Sequence, residues 1–289
     1  MIKISENNSG KYPDFITYAR QFEGYRWYKP LLAIILACLL ATILSSLVLL
    51  IFTGSNPASI NALTSGGYDG LNTYSLRGLF SLFATGLSLP AALIAIKIVR
   101  ERPVTSYLYS RDKWNWNLFI YPLIITVAVL IIPSIYLIYA HGLKFENHFT
   151  ILTLILTLLL TPLQTCGEEL VFRGILMQGL GSWFKKPILA IILQSLIFVL
   201  MHPYNFIGMM DIFVFGILYG IVAWKTNGLE ASMAMHTANN AFLFVLLGVG
   251  LYFFGKNTSM EIFLLNAIFT IMITVIILTL NKKYGWSEE

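Results

Sequence analysis

Apolar runs long enough to cross a bilayer recur along most of this chain, and few architectures are open to such a sequence. About 20 apolar residues cover roughly 30 Å of hydrocarbon, and within it only helices and closed barrels satisfy the backbone. Runs at about 30–53, 79–99, 118–140, from 149 into Glu168 and Glu169, and at 187–201, 206–224, 231–254 and 262–280 predict an all-α, polytopic transmembrane bundle of about eight spans. With 57% hydrophobic and 11% charged residues in 289, a soluble domain is excluded. Short loops between the last four spans predict one compact bundle and not two domains.

The cations test this ladder. Lys3, Lys11, Arg20, Arg26 and Lys29 precede the first span; Lys97, Arg100, Arg102, Arg111 and Lys113 lie between the second and third. Arg173, Lys185 and Lys186 follow the fourth, Lys225 the sixth, and Lys282 and Lys283 the last, leaving only Arg77, Lys144 and Lys256 for the other side. That bias predicts a multi-pass membrane protein with both termini cytoplasmic. The net charge of +5 is then topology and affinity for the lipid surface, and nucleic acid is not an expected partner. A 29-residue charged segment ahead of a full-length first span argues against a cleaved signal. Cys38 and Cys166, in or beside spans, offer no disulfide framework. The stretch "GSNPASINALTSGGYDG" is expected to be an external loop.

Ionisable side chains at membrane depth are costly and point to function. The candidates are Glu168, Glu169, Arg173, His202, Asp211, Glu230 and His236. On a helix Glu169 and Arg173 share a face, acid first, so they can pair, while Glu168, rotated by about 100°, is left to point elsewhere. His202 ends an apolar helix before Pro203, with Phe198 one turn back on its face. If 168–184 and 187–203 form a hairpin turning at Lys185 and Lys186, Glu168 and His202 face one another. His236 and Asn240 share a face of the seventh span, with Asn239 beside them. Gly216 and Gly220 have small-xxx-small spacing and are read as helix packing. Asp211 is read as able to back a neighbouring site, Glu230 as interfacial, and His141 and His148 as solvated at an external loop.

A carboxylate, two imidazoles and a carboxamide in an apolar bundle suit the addition of water to an amide. Burial can raise a carboxylic acid toward neutrality, fitting it to act as a general base; a histidine can orient the water, and the His236/Asn240 face can donate to the oxyanion. No G-x-S-x-G elbow offers a serine nucleophile, and Cys166 would need a histidine distant in sequence. No cofactor is expected, although Glu168, His202 and His236 could form a catalytic zinc set without the usual H-E-x-x-H spacing.

The patterns EExxxR at Glu168 to Arg173, FxxxH at Phe198 to His202, FxxGxxxG at Phe213 to Gly220 and HxxxN at His236 to Asn240 together resemble the four motifs of the CAAX protease and bacteriocin-processing (Abi) family. The resemblance covers about residues 150–245. It implies an intramembrane endopeptidase of a bacterial cell membrane, related to the type II prenyl-protein peptidase, that acts on a peptide or membrane-protein substrate in bacteriocin self-immunity or peptide maturation. It implies that Glu168 activates water with His202 as its partner, that His236 and Asn240 form the oxyanion side, and that Glu169 and Arg173 are structural. It divides the chain into a cytoplasmic segment (1–29), accessory helices (30–148), a catalytic core (149–255) and a last helix with its tail (256–289).

Two other classes compete. A non-catalytic immunity protein that binds or shields a receptor would not need the Glu168, His202, His236 and Asn240 set. A proton-coupled transporter would be expected to show broken paired helices or repeats. Simple spans also place His202 near the outer end of the fifth helix and His236 about two turns from the inner side. A common depth requires helices that are tilted, helices that start outside the hydrocarbon, or a water-filled cavity, and a cavity opening to the cytoplasm is expected.

Overall fold

The computed structural model describes residues 13–64, 71–202, 204–252 and 258–288. The sequence-based readings that involve Lys3, Lys11, Pro203, Phe254 and Lys256 lie outside these residues. The described residues form an all-helical bundle. Its long helices are α1 (Lys29–Thr53), α3 and α4 (Leu76–Gly86 and Ser88–Val99, together one span), α5 (Asn117–Ala140), α9 (Phe206–Lys225) and α11 (Met260–Tyr284). A short α2 (Pro57–Thr64) lies within the stretch expected to be a loop. It is capped by Asn56, whose side chain accepts from the Ala58 and Ser59 amides.

The fourth span continues past the glutamates, as the hairpin of 168–184 and 187–203 requires. α6 (Ile151–Glu169) passes into a π-helical segment (Leu170–Met177) and then α7 (Gln178–Phe184), a continuous 34-residue rod. At about 1.5 Å per residue it far exceeds the hydrocarbon thickness. Lys185 takes the left-handed conformation that ends α7 (φ 55°), and Pro187 starts α8 (Pro187–Leu200), which at 14 residues covers only part of a membrane. Among the described residues six rods are long and apolar enough to cross a membrane, and α8 and α10 (Glu230–Gly248) complete a bundle compatible with about eight spans. His202, two residues past α8, and His236 of α10 line the same cavity, so the structure brings the two histidines together.

Small residues set the closest approaches. Ala33 and Ala37 of α1 meet Ala92, Ala95 and Ile96 of α4, which lets van der Waals packing take the place of a hydrophobic drive that lipid does not supply. A Cβ on Gly216 of α9 would come within 2.8 Å of Ser195 Cβ, and one on Gly220 within 3.1 Å of Ile191 Cγ2, so these glycines seat α9 against α8 as expected. Before α1, Phe15 and Ile16 are fully buried against Leu176, Met177 and Leu180, sealing the end of the bundle that carries the termini.

That end is also closed by buried polar groups from the 100–116 loop. The Arg102 guanidinium stacks 3.8 Å over Tyr107 and donates to Gln178 Oε1 at 2.6 Å, while the Tyr107 hydroxyl donates to Glu101 at 2.9 Å. Arg111 pairs with Glu230 at 2.5 Å, both side chains wholly buried. Glu230 is therefore not interfacial, since the Asn115 amide also donates to its carboxylate. Arg173, Arg102 and Arg111, counted above among the loop cations, are interior side chains. His141 and His148 are exposed, as expected, and His141 lies 3.2 Å from Glu261.

Candidate active site

α6 and α10 carry most of the polar side chains at the centre of the bundle. Their contact is anchored one turn from Glu169, where the Thr165 and Thr237 hydroxyls meet at 2.7 Å. Glu169 is fully buried, and its Oε1 receives Arg173 Nη1 at 2.9 Å and His236 Nδ1 at 3.0 Å. A carboxylate oxygen accepts, so His236 Nδ1 carries the hydrogen and Nε2 is turned to the other glutamate. Glu168 Oε2 lies 3.6 Å from that Nε2. The i to i+4 pairing read for Glu169 and Arg173 thus holds even with Arg173 inside the π segment, a local geometry common at functional sites.

Arg173 is fixed on its other sides. Its guanidinium lies 4.7 Å over the Phe198 ring and its Nη2 donates to the Gly216 carbonyl at 3.4 Å. Phe198 also lies 4.6 Å from the His202 ring and 6.4 Å from the His236 ring, centroid to centroid, so one aromatic side chain touches both histidines. His202 Nδ1 meets the Phe198 carbonyl at 2.8 Å. A carbonyl can only accept, so Nδ1 donates, and a neutral His202 keeps a lone pair on Nε2.

Gln164 was not singled out by the sequence. One turn before Glu168, it donates to Glu168 Oε1 at 2.5 Å and accepts from Asn240 Nδ2 at 3.2 Å. It joins the EExxxR and HxxxN patterns into one chain of hydrogen bonds, extended by Asn239 to Asn240 at 3.2 Å. A glutamine four residues before a glutamate in an apolar run was the available signal. The partner that the structure brings against Glu168 is His236, while His202 lines the same space.

That space is a cavity of about 580 Å³ whose walls include Glu168, Phe198, His202, His236, Asn239 and Asn240. The walls extend to Leu71 and Thr73 ahead of α3 and to Tyr252 and Thr258 ahead of α11. They lie toward the end of the bundle opposite the termini. The polar layer around Arg102 and Arg111 and the buried Phe15 and Ile16 occupy the end that carries the termini. Cys166 is partly buried beside the Phe15 and Met177 cluster. Among the described residues no group of three or more His, Cys, Asp and Glu side chains is arranged to hold a metal ion.

The motif-bearing helices are also where the chain matches known proteins. Residues 146–242 match the type II CAAX prenyl endopeptidase Rce1-like family. The Rce1-like segment runs from just before α6 into α10 and contains Glu168, His202, His236 and Asn240. At family level the match is to CAAX-type intramembrane proteases. The chain is also similar to the uncharacterized protein YyaK of Bacillus subtilis (strain 168), 28% identical over 188 residues. The match takes in 61% of this chain and 61% of the relative, so the chain spans about three fifths of the length of that relative.

Proposed function

We propose that the protein is an intramembrane endopeptidase that uses water activated by Glu168. The observation carrying this reading is that Glu168 of α6, His202 just past α8, and His236 and Asn240 of α10 line one cavity within the bundle. Glu168 takes a proton from a water that the Nε2 lone pair of His202 helps to orient. The water oxygen bonds to the peptide carbonyl carbon, and the oxyanion is met by donors on the His236/Asn240 side. Collapse breaks the carbon–nitrogen bond, and the proton held by Glu168 passes to the leaving nitrogen. Glu169, backed by Arg173, holds the His236 ring with Nε2 toward Glu168.

A membrane-associated peptide or protein is the substrate class that suits this cavity. Met201, which follows α8, lines the cavity and is 67% exposed, so the cavity wall reaches the outer surface of the bundle there. Reconstituted protein should cleave members of a quenched, membrane-tethered peptide library. Glu168→Ala and His202→Ala should each abolish turnover and a chelator should spare it. Turnover lost to chelator and restored by zinc would transfer Glu168 to a metal-centred role.

A further inference from the structure

The cavity has a second polar pole that the proposed chemistry does not use. Along α9, Gly208, Asp211, Ile212, Phe215 and Tyr219 follow helical spacing and all line the cavity, a stripe ending where Tyr219 meets the His236 ring at 5.6 Å. Asp211 is 8% exposed. Its Oδ2 accepts from Asn266 Nδ2 of α11 at 2.7 Å, and its Oδ1 is buried with no hydrogen-bond partner among the described residues. An ionised carboxylate half-satisfied at membrane depth is expensive unless a cation answers it. Among the described residues lining the cavity there are two carboxylates, Glu168 and Asp211, and no lysine or arginine. The wall is thus complementary to positive charge.

We propose that Asp211 is a specificity subsite for a basic side chain, lysine or arginine, of the peptide held in this cavity. From Gly216, whose carbonyl bonds Arg173, or Tyr219, which touches His236, Asp211 is five or eight residues along α9. That is roughly 8–12 Å at helical rise, or two to four residues of extended peptide. The basic residue therefore lies two to four positions from the bond that is cut. Tyr204 and Tyr252 line the same end and give its alkyl stem and charge an aromatic wall. The inference rests on the cavity being a peptide site but not on turnover.

Binding to the Glu168→Gln protein in liposomes tests it without cleavage. The probes are dansyl-labelled apolar nonapeptides carrying one lysine, or norleucine in its place, scanned along the sequence. Lysine at one or two adjacent positions should tighten binding by roughly tenfold or more over norleucine. Adding Asp211→Asn, which keeps an acceptor for Asn266, should erase that ratio, and Asp211→Glu should retain part of it. Equal binding of lysine and norleucine peptides at every position, a lysine preference that Asp211→Asn leaves intact, or no binding of any peptide would each overturn the subsite. Failure of the protease reading would show separately, as absent cleavage by protein with Glu168 intact that still binds lysine peptides through Asp211.

Discussion

His236 and Glu169 form a buried imidazole–carboxylate pair, Nδ1 to Oε1 at 3.0 Å, and the same carboxylate oxygen accepts from Arg173 at 2.9 Å. The pair fixes which ring nitrogen of His236 faces Glu168. A group read from the sequence as structural is thereby joined to the proposed reaction through the histidine it holds.

Glu169→Gln should therefore lower turnover by about 10–100-fold, the usual cost of removing a carboxylate behind a working histidine. Binding of uncleaved peptide should change little. Steady-state kinetics with a peptide-binding control check this, and unchanged turnover would contradict it.

Arg173→Lys should behave almost as badly as Arg173→Met. The flat guanidinium serves Glu169, the Gly216 carbonyl and the face of Phe198 together, and an ammonium cannot reproduce that fork and stacking. Leaving Glu169 buried without its partner should cost about 3–5 kcal/mol, read as thermal unfolding in detergent.

Gln164→Ala should reduce kcat by about tenfold with little change in KM, because it removes the link between Glu168 and Asn240 without touching the cavity's apolar walls. A change confined to KM would instead assign Gln164 to substrate binding.

The sequence was most legible where hydropathy alone decides. The ladder of spans follows from apolar run length, and the close seat of Gly216 and Gly220 from their spacing. It was least legible where a buried polar group is satisfied by a residue far along the chain. Glu230 looks interfacial until Arg111, 119 positions away, is placed against it. That the "EELVFRGILMQGLG" run lies inside the bundle shows only when Arg102 and Tyr107 are seen bonding to Gln178, and Phe15 and Ile16 packing beneath. Periodicity gathered the motif residues by helix face, but it could not reveal that Glu168 meets His236 and Gln164 before His202.

The Arg111–Glu230 pair should be asymmetric under mutation. Glu230→Ala alone leaves a buried guanidinium and should cost about 3–5 kcal/mol, whereas replacing both residues by methionine should cost much less. Unfolding midpoints of the two single variants and the double variant measure the difference.

Glu101, in the loop after α4, should make stability fall as pH rises. Burial pushes its carboxyl up, against the attraction of Arg102 and the hydrogen bond from Tyr107. A folded pKa above the unfolded value favours the protonated, folded form, so this contribution is full below the unfolded pKa and is lost as pH rises through the folded one. Relative to Glu101→Gln, the protein should lose stability as pH rises from about 4, the unfolded carboxylate range, until Glu101 is ionised. Unfolding scans of both proteins across pH should show that widening gap, and a gap that narrows would contradict the sign.

The central claim is that water held at Glu168 attacks the peptide bond directly. It is tested most directly by a single turnover in ¹⁸O-labelled water, with the protein in excess over peptide and the reaction quenched during cleavage for mass spectrometry of both. One ¹⁸O in each new carboxylate, an unchanged protein mass at every time and no product from Glu168→Gln are expected. A protein mass raised by the acyl fragment, on Cys166 or any other side chain, would contradict the account.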